Sequence, residues 1–186
     1  NVGDCYFCEI WGSKASNIGG YGIQAIDLCD DTVVIANNSF HCMTTAVTAI
    51  DSDPKIIDNE MENLTYYGVS LDNSLSVVTG NTISAQREGL HAMDSHPQVS
   101  MNNISDAGTG IYLLRSAGMC ANNTLFKCST GISLYSANGW SIVDNNLTTI
   151  TTIAISCSRS VGFVGDNLFP DNVPSIIGVS NPANNP

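Results

Sequence analysis

The chain has 186 residues, a formal net charge of −11, and 12% charged against 43% hydrophobic side chains; that makes one domain with room for a core and excludes disorder. Sixteen Gly and six Pro are too few for a collagen-like or Pro/Gly low-complexity chain. Seventeen acidic residues against six Lys and Arg repel phosphate backbones and anionic bilayers, which excludes nucleic-acid binding through a basic patch, and no apolar run reaches the roughly 20 residues needed for membrane insertion.

Residues 1–19 carry neither an initiator Met nor a basic-then-apolar leader, so they read as the start of a mature product or of a piece of something longer. Tyr6, Phe7, Trp11 and Asn17 make the stretch a partial first coil or an N-terminal cap. The cysteines (Cys5, Cys8, Cys29, Cys42, Cys120, Cys128, Cys157) number seven, and an odd set cannot pair completely within the chain. Cys5-x-x-Cys8 is half of a zinc spacing with no second pair at ligand distance. Cys120 and several others read as small buried apolar residues.

Residues 20–171 repeat one pattern. Asn38, Asn59, Asn81, Asn102, Asn123, Asn145 and Asn167 each open an Asn-x-apolar triplet, at spacings of 21, 22, 21, 21, 22 and 22. Three residues before each stands Ile35, Ile56, Val78, Val99, Cys120, Ile142 or Val164, all fit for burial. A third column, Ile23, Val47, Val69, Leu90, Ile111, Ile132 and Ile153, opens short alternating segments such as Gly110-Ile-Tyr-Leu113. There is no helical period, a Leu-x-x-Leu-x-Leu framework is missing, and propeller blades need about twice the period. What remains is an all-β fold, a parallel β-solenoid of about 7–8 coils of 21–22 residues, in which inward columns form a continuous core and the Asn column forms a structural ladder. Pro170 to Pro174 breaks the pattern, and residues 172–186 read as a last strand at Ile176-Ile177 followed by an extended tail.

On this repeat, over roughly residues 20–170, the chain resembles the right-handed parallel β-helix superfamily, which includes pectin-cleaving lyases, alginate epimerases and bacteriophage tailspikes. The resemblance implies a single-stranded right-handed parallel β-helix found extracellularly or on a virion surface. It also implies a polysaccharide partner, and a homotrimer or capping by another segment or chain. The function it points to is a glycan-recognising segment of a tailspike, a receptor-binding protein or an extracellular polysaccharide-processing protein. As an enzyme it would be a polysaccharide lyase or glycoside hydrolase. The alternative is a non-catalytic structural spike or fibre segment of a virion or adhesin. Departures weigh against an enzyme: the polygalacturonase signatures survive only as Asp30-Asp31 and Gly89-Leu-His91, and the epimerase Asp-Pro-His-Asp only as Asp94-Ser-His96.

One window breaks the bland composition. Arg87, Glu88, His91, Asp94 and His96 fall in one coil, with Tyr112 and Arg115 21 residues after His91 and Asp94. With Leu90 and Ile111 inward, His91 and Tyr112 face outward as stacked neighbours of Ser70, while Asp72, Asp94 and Arg115 line one turn edge. The catalytic candidates are Asp94, His91, Asp72 and Arg115: paired carboxylates about 5 Å apart suit a retaining glycosidase, and a His suits a general base. Arg87, Glu88, His96 and Tyr112 are candidate ligand contacts, an Arg beside carboxylates suiting an acidic sugar. Against this, Asp94-Ser-His-Pro97 aligns with Asp51-Ser-Asp-Pro54 as an ordinary turn. A second group, Asp27, Asp30, Asp31, Asp51 and Asp53, comes from turns of adjacent coils and could hold Ca²⁺ through carboxylate oxygens. The resemblance to pectate lyases, which hold Ca²⁺ on one face, adds to that expectation; no other cofactor is implied.

Overall fold

Each 21–22-residue unit folds as three short strands joined at three corners, and each strand pairs in parallel with its counterparts one coil before and after. The computed structural model describes residues 8–16, 19–27, 33–171 and 173–177. They form a right-handed parallel β-helix of about seven turns with three sheets. Sheet 1 runs from strand Cys8–Trp11 to Val161–Gly165, sheet 2 from Lys14–Ser16 to Asn146–Thr149, and sheet 3 from Tyr21–Ile26 to Ile176–Ile177. Strands Cys8–Trp11 and Lys14–Ser16 pair with Val33–Ala36 and Ser39–His41, so the stretch left open between coil and cap carries coil strands. The positions 1–7, 17, 18, 28–32, 172 and 178–186, with Asn17, Asp30, Asp31 and the tail among them, lie outside the described residues.

The corners explain much of the composition. Asn37, Asp58, Gly80, Met101, Asn122, Asp144 and Asp166 precede the ladder asparagines, all with φ between 51° and 69°. A second such column follows sheet 3: Asp27, Asp51, Asn73, Asp94, Arg115, Ser136 and Arg159. Left-handed backbone favours Gly, Asn and Asp over other residues. Seven aspartates (27, 51, 58, 94, 106, 144 and 166) sit at positive φ, so a large part of the negative charge follows from how the chain turns.

Inside the corner between sheets 1 and 2 a polar ladder satisfies the backbone. The Nδ2 of Asn59, Asn81, Asn102 and Asn123 donates to the Oδ1 of the next ladder Asn at 2.9–3.0 Å, and the backbone N–H donates to the same oxygen. The same Nδ2 groups reach back to the carbonyls of Ile35, Ile56, Val78 and Val99. Asn38 and Asn145 repeat the arrangement, and Asn167 takes the last rung, half-buried. A shorter ladder that the sequence reading missed uses hydroxyls: Ser95 and Ser116 Oγ accept from the N–H of Ser74 and Ser95 and donate to Met93 and Leu114 carbonyls.

The core lies along the axis. Ile10, Ile35, Ile56, Val78, Val99, Cys120, Ile142 and Val164 stack in register on sheet 1. On sheet 3 the register is Ile23, Val47, Val69, Leu90, Ile111, Ile132 and then Ile155. Ile153 is therefore corrected: it pairs with Thr130 on the outer face, half-buried. The cause is two extra residues: the step from the coil before rises from 21 to 22 between Tyr135 and Trp140, and to 23 within strand Asn146–Thr149, where the pairing shifts between Thr124 and Phe126. At the start of sheet 3 the inward position is held by Gly68, Gly89, Gly110 and Gly131. A methyl on Gly89 would collide with Ile104 Cγ2 and fall 2.7 Å from the Gly110 carbonyl.

Candidate functional site

Because Gly89 and Leu90 both turn inward, Glu88 and His91 share the outer face although they are three residues apart. Glu88 is only 8% exposed, and its Oε2 lies 2.5 Å from His91 Nδ1. Arg87 Nε approaches the other oxygen at 3.5 Å. A carboxylate so buried needs such partners, since desolvation of an unpaired charge is costly. With Nδ1 engaged, Nε2 is the ring nitrogen left for a ligand.

The His91 ring stacks on Tyr67 at 4.8 Å between centroids and lies 5.4 Å from Tyr112, its register partner on the next strand. Arg87 sits 4.4 Å over the Tyr66 ring and 5.7 Å from that of Tyr67, within cation–π range. Burial first, and Glu88 second, push the Tyr67 phenol up to about 12, so it stays protonated at neutral pH and can donate a hydrogen bond.

Beside this aromatic tier, sheet 3 carries a groove of about 310 Å³, lined by Tyr21, Thr45, Thr48, Tyr67, Asp72 and His91 among others. Tyr21, Thr45 and Tyr67 follow one another in register, as do Gln24, Thr48, Ser70 and His91. Thr45 and Thr48 are 1% and 6% exposed, and neither Oγ1 has a hydrogen-bond partner. The sequence reading missed Tyr21, Thr45, Thr48, Tyr66 and Tyr67. The available signal was Tyr66-Tyr67 before Gly68, at the positions Arg87-Glu88 hold before Gly89.

The other candidates fall outside the groove, Asp72 excepted. Arg115 donates from Nε to Asp94 Oδ1 at 2.8 Å and from Nη2 to Oδ2 at 2.6 Å, and this bidentate hydrogen bonding holds the exposed Asp94 carboxyl below its ordinary range. Asp72 does not share their edge, which is a correction. It pairs with Ile50 and Met93 within the sheet, because the step between these coils is 21 residues and not 22. Asn73 takes the corner position next to Asp94, its N–H bonded to the Met93 carbonyl. His96 is exposed in the following turn, its N–H bonded to the Ser74 carbonyl at 2.8 Å. Of the acidic group, Asp27 and Asp51 occupy adjacent corners. Asp51 Oδ1 accepts from Asn73 Nδ2, and Asp53 Oδ1 from the Leu75 N–H, both at 2.6 Å. Among the described residues no three His, Cys, Asp or Glu side chains come together to hold a metal ion.

No curated protein matches the chain. A family model described as periplasmic copper-binding protein (NosD) matches residues 8–185, and that description places its members outside the cytoplasm. It agrees with the β-helix expected from the repeat, and it names neither tailspikes nor pectate lyases. The donor set of the described residues does not fit copper, whose sites combine several imidazole and sulfur ligands. His91 and Met93 both line the groove, and His91 belongs to no group of three His, Cys, Asp or Glu side chains among the described residues. His41 faces Glu62 at 3.3 Å and Ser39 at 2.8 Å. Burial pushes the thiols of Cys120, Cys128 and Cys157 up, away from the metal-binding thiolate. With its three-sheet solenoid and a family match spanning nearly all its length, the chain belongs to the NosD family.

Proposed function

We propose that this chain is a glycan-recognising β-helix that works outside the cytoplasm, with a polysaccharide laid against the outer face of sheet 3. The observation that carries the reading is the tier of Tyr67, His91 and Tyr112 beside the groove. Aromatic faces cover the C–H surfaces of sugar rings, while the hydroxyls and carboxylate around them bond sugar hydroxyls. The periplasmic description of the family supports the location, and the acidic, low-charge surface suits a ligand other than nucleic acid. For cleavage, the Glu88–His91 pair is the site's best proton acceptor, since Asp94 is ionised and clamped by Arg115. The reading includes a partner over the terminal coils, a second copy in a parallel trimer or another segment, which sedimentation would report.

The experiment is a binding panel of neutral and acidic polysaccharides, followed by reducing-end and unsaturated-uronate assays on any that bind. Binding weakened at least tenfold in Tyr67→Ala and His91→Ala supports the reading. No binding by the wild type overturns it in favour of the second reading, a rigid structural segment of a spike or fibre, which the unbroken Asn ladder favours.

A further inference from the structure

We propose that Thr45 and Thr48 form the floor of a subsite for one neutral sugar ring, which deepens the glycan reading above and rests on it. Both hydroxyls are more than nine-tenths buried, both belong to strand Thr45–Ile50, both line the groove, and both lack a partner. Buried polar groups without hydrogen bonds are rare and costly, and one that persists needs an explanation. On this solenoid the contrast is sharp, because Asn38, Ser52 and Asn59, buried in the corners of the same and the next coil, are bonded.

A valine has the same shape as threonine and a better fit to a dry strand, so packing alone gives no reason for a hydroxyl at either position. A ligand does. Each hydroxyl can donate one hydrogen bond and accept two, which matches the donor-and-acceptor hydroxyls of a sugar. Thr45 lies in register between Tyr21 and Tyr67, and Tyr21 is 53% exposed. Tyr21 lines the groove beside the two threonines, and its exposed ring is placed to stack on the sugar. The volume of about 310 Å³ stands at the small end of ligand sites, roughly 300–1,000 Å³, and suits one ring with part of its neighbour. The charge of the walls selects the class. Asp72 lines the groove and the buried Glu88 stands behind His91, so a uronate or sulfated sugar meets like charge there, whereas a neutral ring meets acceptors for its hydroxyls. This reverses the acidic sugar suggested by the Arg residues, since Arg115 is committed to Asp94 and Arg87 to Tyr66 and Glu88.

The test uses the full chain and a panel of cello-, manno- and galacto-oligosaccharides with oligogalacturonate as the acidic member. Thr45→Val and Thr48→Val are expected to hold or raise the thermal midpoint while weakening neutral-oligosaccharide binding at least tenfold. Thr45→Ser and Thr48→Ser, which keep the hydroxyl, are expected to retain binding within about threefold. The subsite is overturned by unchanged binding in the valine variants, by a clear fall in their thermal midpoint, which would show the hydroxyls bonded within the fold, or by preference for oligogalacturonate. If Tyr67→Ala loses binding and the valine variants do not, the subsite fails and the glycan reading stands. If the wild type binds no member, both fail.

Discussion

Asn102 and Asn123, 21 residues apart, meet twice: both the side-chain Nδ2 and the backbone N–H of Asn102 donate to Asn123 Oδ1, each at 3.0 Å. The same Nδ2 also holds the Val78 carbonyl at 2.9 Å. One side chain thus closes three coils on one another. Replacing it with alanine removes the acceptor of the Asn81 N–H and the donor to the Val78 carbonyl in a buried corner, and leaves Asn123 Oδ1 with the backbone N–H alone. Asn102→Ala is expected to cost about 3 kcal/mol or more of unfolding free energy, measured by denaturant titration. Asn167→Ala, at the half-buried end of the ladder, is expected to cost about 1 kcal/mol. Equal losses at the two positions would contradict a load carried by burial.

Gly89 makes a second mechanical prediction. Its inward position leaves no room for a methyl group between Ile104 and the Gly110 carbonyl, and rigid stacking prevents the coils from moving apart. Gly89→Ala is expected to lose about 3 kcal/mol through overpacking. Gly19→Ala, with nothing within 4 Å of the added carbon, should be within about 0.5 kcal/mol of wild type. Paired thermal melts of the two variants check this.

Asp94 gives a pH dependence of definite sign. The hydrogen bonds from Arg115 lower its pKa from 3.8, so the folded state holds the ionised form more strongly than the unfolded chain does. The resulting stabilisation is present above the unfolded value and is lost as the pH falls through the folded one. Arg115→Gln should therefore lose that stabilisation at neutral pH, by only a small amount because exposed pairs contribute little, and converge with wild type at acid pH, which flattens the acid limb below about pH 4. A large loss at pH 7 would refute the assignment.

Tyr67 behaves in the opposite sense at the alkaline end. Its folded pKa of about 12 stands above the ordinary 10.0, so its contribution is complete below pH 10 and is lost as the pH rises towards 12. Ultraviolet difference titration should find one tyrosine ionising late. Glu88→Gln is expected to bring that transition down only in part, because burial is the larger cause. Full restoration to 10.0 would make Glu88 the main cause instead.

The architecture was legible because it is periodic. Ile35, Ile56, Val78 and Val99 must fill equivalent places in successive coils, and such columns survive in a single sequence. The Asn column was legible for the same reason. Ile153 was misplaced because two extra residues, one before Trp140 and one in strand Asn146–Thr149, move the later positions of its coil by two, and periodicity cannot show which residues are extra. The window around Arg87, Glu88, His91 and Tyr112 was found as a departure from the pattern. The Glu88–His91 contact was not legible, because residues three apart in a regular strand point to opposite faces and only the inward Gly89 undoes that alternation. The threonine floor left no mark at all, since a hydroxyl's missing partner is a property of packing and not of spacing.

The pairing shifts fall between Ile83 and Ala85 and between Thr124 and Phe126 on sheet 2, and between Asn138 and Trp140 on sheet 1. Sheet 3 pairs from Tyr21 to Ser158 without one. Sheet 2 with that one seam of sheet 1 therefore works as the expansion joint of the rod, taking up coils of unequal length, while sheet 3 keeps the constant pitch of a ruler. Extra residues can enter at the joint without moving the marks on the ruler, so a repeating polymer lying along sheet 3 would meet the same graduation in every coil.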